Sequence, residues 1–177
     1  MLLGTFSGWF VRSSLFYYAK GGDVAQILYA MKYHARKKLC CRMGEYMAGE
    51  LCDSGFFEGI DYLLPVPLFS SRLRQRGYNQ SELLARGISR VTGIPLCTDA
   101  VVRSRNNATQ THKSGYARWQ NVDRLFLSTP HAANLHDKHI LLVDDVLTTG
   151  ATLVACADAL LGVENIKISV LTLAWAR

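Results

Sequence analysis

The 177-residue sequence has no CxxC pair: Cys40 and Cys41 are adjacent, and Cys52, Cys97 and Cys156 stand alone. That spacing excludes a zinc site nucleated by closely spaced thiolates. It also lacks an apolar run long enough to span a bilayer. Residues 1–18 are apolar and aromatic, but Arg12 and several polar residues interrupt them, and no basic secretory start precedes them. Neither membrane insertion nor export is expected, and unpaired cysteines fit reduced thiols in the cytoplasm. There is no internal repeat and no low-complexity linker.

A hydrophobic content of 49% over 177 residues is enough for one well-cored α/β domain. The expected division is an N-terminal arm, 1–22, and a domain from 23 to 177. The net charge of +6 suits nucleic acid, but an anionic small molecule would also select arginines.

Residues 139–153 carry the chemistry. Ile140, Leu141, Leu142 and Val143 read as a parallel strand buried on both faces, with Asp144 and Asp145 at its carboxyl end. Val146, Leu147, Thr148, Thr149, Gly150, Ala151 and Thr152 then form a turn that opens a helix. In open α/β sheets ligands bind at that end, where the next helix offers unpaired amides to an anion. Gly150 allows close approach or positive φ, and the threonine hydroxyls can donate to phosphate oxygens. Ionised carboxylates only accept hydrogen bonds, so the pair suits a ribose cis-diol, directly or through Mg²⁺. Diol acceptors followed by a phosphate cradle describe a ribose 5-phosphate site.

Elsewhere, Val24, Ile27, Leu28 and Met31 predict a helix over 23–38 whose basic end, Arg36-Lys37-Lys38, complements the dipole. A second helix is expected over 42–52, with Met43, Met47 and Leu51 as core filler. A strand is expected over 61–66, a helix over 79–91 ended by Gly93, and a weakly alternating strand over 96–103. Residues 104–117 form a polar loop of a length that usually serves function. The segment from Ile140 to Leu173 reads as a β-α-β unit. His34 and His112 read as solvated rather than catalytic.

VDDVLTTGAT resembles the phosphoribosyl pyrophosphate (PRPP) binding motif of type I phosphoribosyltransferases. AMKYH near residue 32, PVPLFSSRLRQRGYNQSELLA from Pro65, and TQTHKSGYARWQNV from Thr109 are similar to the ComF branch, which is associated with competence. The resemblance implies a central, mostly parallel sheet flanked by helices, with a flexible hood loop. It implies catalytic and Mg²⁺-linked roles for Asp144 and Asp145, and a pyrophosphate loop with the Leu68 and Phe69 amides after Pro67 and the Arg76 guanidinium. It implies a hood formed by Thr109, Gln110, Thr111 and Lys113, with Arg118 and Asn121 contacting or bracing it. Arg72 and Arg74 lie either near the pyrophosphate or on a solvated face, and Asn79 serves as helix cap or ligand contact. Many ComF-like proteins begin with a zinc ribbon of CxxC pairs. Here it is expected either to be dispensed with or to lie upstream of a coding start placed too late.

Two functions compete at this level. One is displacement of pyrophosphate from PRPP by a nitrogen acceptor, with Mg²⁺. The other is a PRPP-sensing adaptor in DNA uptake, with competence-machinery proteins or single-stranded DNA as partners. A homodimer is left open. No segment reads as an acceptor pocket, and Tyr78, Tyr116 and Trp119 read as packing residues.

Overall fold

The computed structural model describes residues 9–19, 21–33, 36–104 and 125–176. Strand β1 (Trp9–Tyr18) leads to helices α1 (Asp23–Tyr33) and α2 (Lys37–Cys52). Strand β2 (Tyr62–Pro65) is followed by α3 (Ser70–Arg76) and α4 (Gln80–Thr92). The hairpin strands β3 (Val101–Arg103) and β4 (Phe126–Ser128) precede a 3₁₀ turn at Pro130–Leu135. Strand β5 (His139–Leu147), α5 (Ala151–Asp158) and β6 (Lys167–Ala176) follow.

The central sheet has the order β1-β6-β5-β2, with every pair parallel. Alternation along β5 divides the core into two layers. Leu141 and Val143 pack with Met47, Leu84 and Ile88 of α2 and α4. Ile140 and Leu142 pack with Leu153, Cys156, Ala157 and Leu160 on the α5 side. This two-sided cover is why the strand reads as a continuous apolar run.

The layer of α2 and α4 is unusually close. A Cβ placed on Gly44 would overlap the Leu84 carbonyl oxygen, and one on Gly87 would overlap the Cys41 carbonyl oxygen. Helix α4 is bounded as its sequence implies. The Asn79 side chain caps it by accepting from the Ser81 amide at 3.1 Å, and Gly93 ends it in the left-handed region.

Four sequence expectations are corrected. The single helix over 23–38 is two, because the Met31 carbonyl accepts from the Tyr78 hydroxyl at 2.6 Å, and Arg36 takes a non-helical ψ of 61°. The basic trio therefore stands at the start of α2, where it opposes the helix dipole. The strand expected over 96–103 reduces to a single parallel bridge, Leu96 with Leu63, and the short β3. Residues 9–18 of the expected arm are an edge strand of the sheet, with the Ser14 and Thr172 hydroxyls 2.5 Å apart. Lastly, β5 runs on to Leu147, so Asp144 and Asp145 lie within the strand.

The topology places a crevice. After β2 the chain returns to its outer side, where the Leu63 amide donates to Pro95 and the Cys97 amide to Leu63. After β5 it returns through α5 to β6, on the opposite side. The carboxyl ends of β2 and β5 thus flank a switch point, the position at which such sheets bind ligands.

Candidate functional site

The β2–β5 pairing ends with Pro65 opposite Val143, so Asp144 is the first residue of β5 beyond it. Here the loop after β2 is fixed from two directions. The Val66 amide donates to the Val143 carbonyl at 2.9 Å, and Asn79 Nδ2 donates to the Val66 carbonyl at 3.0 Å. Asn79 is thus both helix cap and loop clamp. Pro67, Leu68 and Phe69 follow half-buried, and Phe69 caps α3 in extended conformation.

The two carboxylates are buried and held by α1 and α4. Ser81 Oγ donates to Asp144 Oδ1 at 2.8 Å, and the Asp145 amide donates to the same oxygen at 2.9 Å. Lys32 Nζ lies 2.8 Å from Asp145 Oδ2, and Gln80 Nε2 donates to that oxygen at 3.3 Å. Arg76 in turn donates to Gln80 Oε1, and its guanidinium lies 5.9 Å from the Tyr33 ring centroid. These bonds converge on one oxygen of each carboxylate.

Burial, and next the Asp145 charge, push the Asp144 carboxyl up to about 7, against the pull of Ser81, the Asp145 amide and Lys32. Arg103, at the end of β3, approaches Asp144 from the other layer. Burial lowers its pKa, the neighbouring Arg72 adds to the lowering, and Asp144 opposes it. Burial first, and Cys41 second, raise the Cys40 thiol to about 11, and all five cysteines are free.

Beyond the carboxylates, Gly150 takes the left-handed conformation (φ 81°) and turns the chain into α5. Thr148 and Thr149 are exposed in that turn, and the Ala151 amide donates to Thr149 Oγ1 at 3.4 Å. The first amides of a helix have no partner within it, so they face the turn together with the positive end of the dipole. Val146, Leu147, Ala151 and Thr152 complete the motif in a single strand-turn-helix unit. The arrangement can accept two hydroxyls and donate to a phosphate a few residues later.

The structure therefore gathers Asp144, Asp145, the 146–152 turn, Pro67, Leu68, Phe69 and Arg76 at one sheet edge. Arg76 reaches the pair through Gln80. Arg74 is exposed, and Arg72 is exposed but close enough to act on Arg103. Thr109, Gln110, Thr111, Lys113, Arg118, Asn121 and both His34 and His112 lie outside the described residues. Sequence reasoning missed Lys32, Ser81 and Arg103 as site residues. The AMKYH and RGYNQS motifs contained the first two, but nothing in their spacing shows that they meet. A groove of about 1260 Å³ between the 3₁₀ turn and α5, lined by Phe126, Pro130, Ala155 and Leu161, shares no residue with this site.

Residues 78–176, from Tyr78 in the α4 entry to the end of β6, match the family model described as "Phosphoribosyl transferase domain". The chain is a phosphoribosyltransferase-family protein of the ComF branch. It is 38% identical over 108 residues to Competence protein F of Haemophilus influenzae, which covers 60% of this chain and 47% of that protein. It is 30% identical over 142 residues to DNA utilization protein YhgH of Escherichia coli K12, covering 78% of this chain and 61% of that protein. Competence protein ComFC of Bacillus subtilis is 35% identical over 99 residues, 56% of this chain and 38% of that protein. This member of the family thus matches about two fifths to three fifths of the length of these curated relatives. Among solved structures, a purine phosphoribosyltransferase from Pyrococcus horikoshii aligns with a TM-score of 0.40 at 16% identity, covering 76% of this chain and 80% of that one. Among the described residues of this ComF-branch chain, no helix is long and apolar enough to cross a membrane.

Proposed function

We propose that the protein binds PRPP and transfers its phosphoribosyl group to a nitrogen acceptor. The bond from the anomeric carbon to the pyrophosphate oxygen breaks, pyrophosphate leaves with the electron pair, and the acceptor nitrogen forms the new bond and gives up a proton. The observation that carries this reading is the buried Asp144–Asp145 pair at the β2/β5 crevice, followed directly by the Gly150 turn into α5. The pair takes the ribose diol, and the Thr148–Thr152 turn takes the 5-phosphate. The Leu68 and Phe69 amides, Arg76 and the segment from Thr109 to Arg118 are assigned to the pyrophosphate. Mg²⁺ is assigned to neutralising charge on the leaving group.

Calorimetric titration with PRPP and Mg²⁺ tests the site. Binding is expected for the wild type and lost in the Asp144→Asn, Asp145→Asn double variant. Unchanged binding in that variant would overturn the assignment. Pyrophosphate release over a panel of bases and amines tests turnover.

The names of the relatives, competence and DNA utilization proteins, support a second reading, in which the same site senses PRPP while the protein handles DNA in the cytoplasm, alone or as a homodimer. Competence-machinery proteins or single-stranded DNA would be its partners. Release that no acceptor raises above slow hydrolysis, with salt-dependent single-stranded DNA binding that PRPP leaves unchanged, selects this reading.

A further inference from the structure

Lys32 is not placed like an ordinary surface lysine. Its side chain is 25% exposed, whereas its partner Asp145 is 5% exposed. The preceding residue, Met31, is fully buried, and its carbonyl accepts from the Tyr78 hydroxyl at 2.6 Å and faces the Cys40 thiol at 3.9 Å. The end of α1 is therefore pinned to the segment that supplies Gln80 and Ser81. Lys32 and Gln80 meet on a single oxygen of Asp145, 2.8 and 3.3 Å away. An ammonium and an amide donor on that oxygen compete with a divalent cation for it. It also repels a second cation, since two charges a few ångströms apart interact strongly near a protein interior.

Resting on the PRPP reading, we propose that Lys32 is the resident counter-ion of the ribose subsite and that Asp144 and Asp145 grip the diol directly, with no metal between. Mg²⁺, where PRPP brings it, stays on the pyrophosphate side. Lys32 is then a positioning residue: it offsets the buried carboxylate charge and orients Asp145 so that its other oxygen accepts a ribose hydroxyl.

The test separates diol from pyrophosphate by comparing ribose 5-phosphate with PRPP, each titrated in EDTA and in Mg²⁺. For the wild type, ribose 5-phosphate affinity is expected to change by less than about twofold between the two conditions, while PRPP affinity rises with Mg²⁺. Lys32→Met is expected to weaken ribose 5-phosphate binding in EDTA by about tenfold or more and to regain part of it when Mg²⁺ is added. Lys32→Arg keeps the charge and is expected to retain metal-independent binding, which a purely structural role for the stem would not require. Ribose 5-phosphate that binds the wild type only with Mg²⁺, or fails to bind where PRPP does, overturns the inference and leaves the PRPP reading standing. So does a Lys32→Met variant with wild-type behaviour. Failure of both ligands under every condition overturns the PRPP reading itself.

Discussion

The Tyr78 hydroxyl donates to the Met31 carbonyl at 2.6 Å, across 47 residues of chain, and this contact joins the two motifs whose side chains hold Asp144 and Asp145. Burial raises the Tyr78 pKa, Cys40 adds to the rise, and Arg76 opposes it, so the phenol stays a donor. Its neighbours in sequence, Asn79, Gln80 and Ser81, clamp the β2 loop and the two carboxylates.

Tyr78→Phe removes the donor and leaves the Met31 carbonyl without it. A cost of about 1–3 kcal/mol is expected, seen as a fall in Tm of roughly 2–4 °C per kcal/mol for a chain of this size. PRPP affinity should fall with it, because Lys32 loses its anchor. A melting curve and a titration on the same variant check both.

The pH dependence follows from Asp144. Its folded-state pKa, about 7, lies above the ordinary carboxylate value of 3.8. Between those values the unfolded chain has released a proton that the folded chain retains, so this group's contribution to stability falls as pH rises through the window. Tm of the Asp144→Asn variant should therefore gain on the wild type from about pH 4 to about pH 7. PRPP affinity should move the other way and rise through about pH 7, as the carboxylate becomes a pure acceptor. Ser81→Ala removes a bond that favours the ionised form, so it should shift that midpoint upward in a carboxyl NMR titration.

Gly87→Ala should be far more damaging than its size suggests. The added methyl meets backbone of α2 on three sides, at the Cys41 carbonyl, the Glu45 amide and the Gly44 Cα, none of which is a side chain that can turn away. Loss of about 1–3 kcal/mol or more is expected, read as a lower denaturant midpoint.

Gly150→Ala acts for a different reason. Its Cβ would have only ordinary contact, 3.6 Å from Leu147 Cδ1, but φ is 81°. The cost is conformational, about 1–2 kcal/mol, and falls on the turn assigned to the 5-phosphate. Weaker binding of both PRPP and ribose 5-phosphate, with a small change in Tm, is the expected result.

Much of this site was legible from residues 139–153 alone, because strand, turn and helix each leave a local signature. The buried run of Ile140 to Val143, the adjacent acids and the Gly150 turn need no distant information. The Asn79 cap and the Gly93 terminus were equally local. What could not be read were the contacts across the chain. Nothing near Met31 shows that its carbonyl will be taken by Tyr78, so the helix seemed to continue to residue 38. Nothing near Lys32 shows that it will face Asp145. The amino acids of β1 mark it as apolar without marking its partner, β6, which lies more than 150 residues further along the chain.

That partnership governs when the fold can be completed. Ser14 and Thr172 are 158 residues apart, and β6 is the strand that separates β1 from β5. Among the described strands, β1 emerges from the ribosome before the others, and β6, its described neighbour in the sheet, emerges after them. Until then one face of the ladder on β5 is bare, and β1 has nowhere to attach. Closing so long a loop is slow compared with local helix formation. Strands β2 and β5 pair directly and can form without β6, whereas β1 joins the sheet beside the Asp144–Asp145 pair only after β6 has been made.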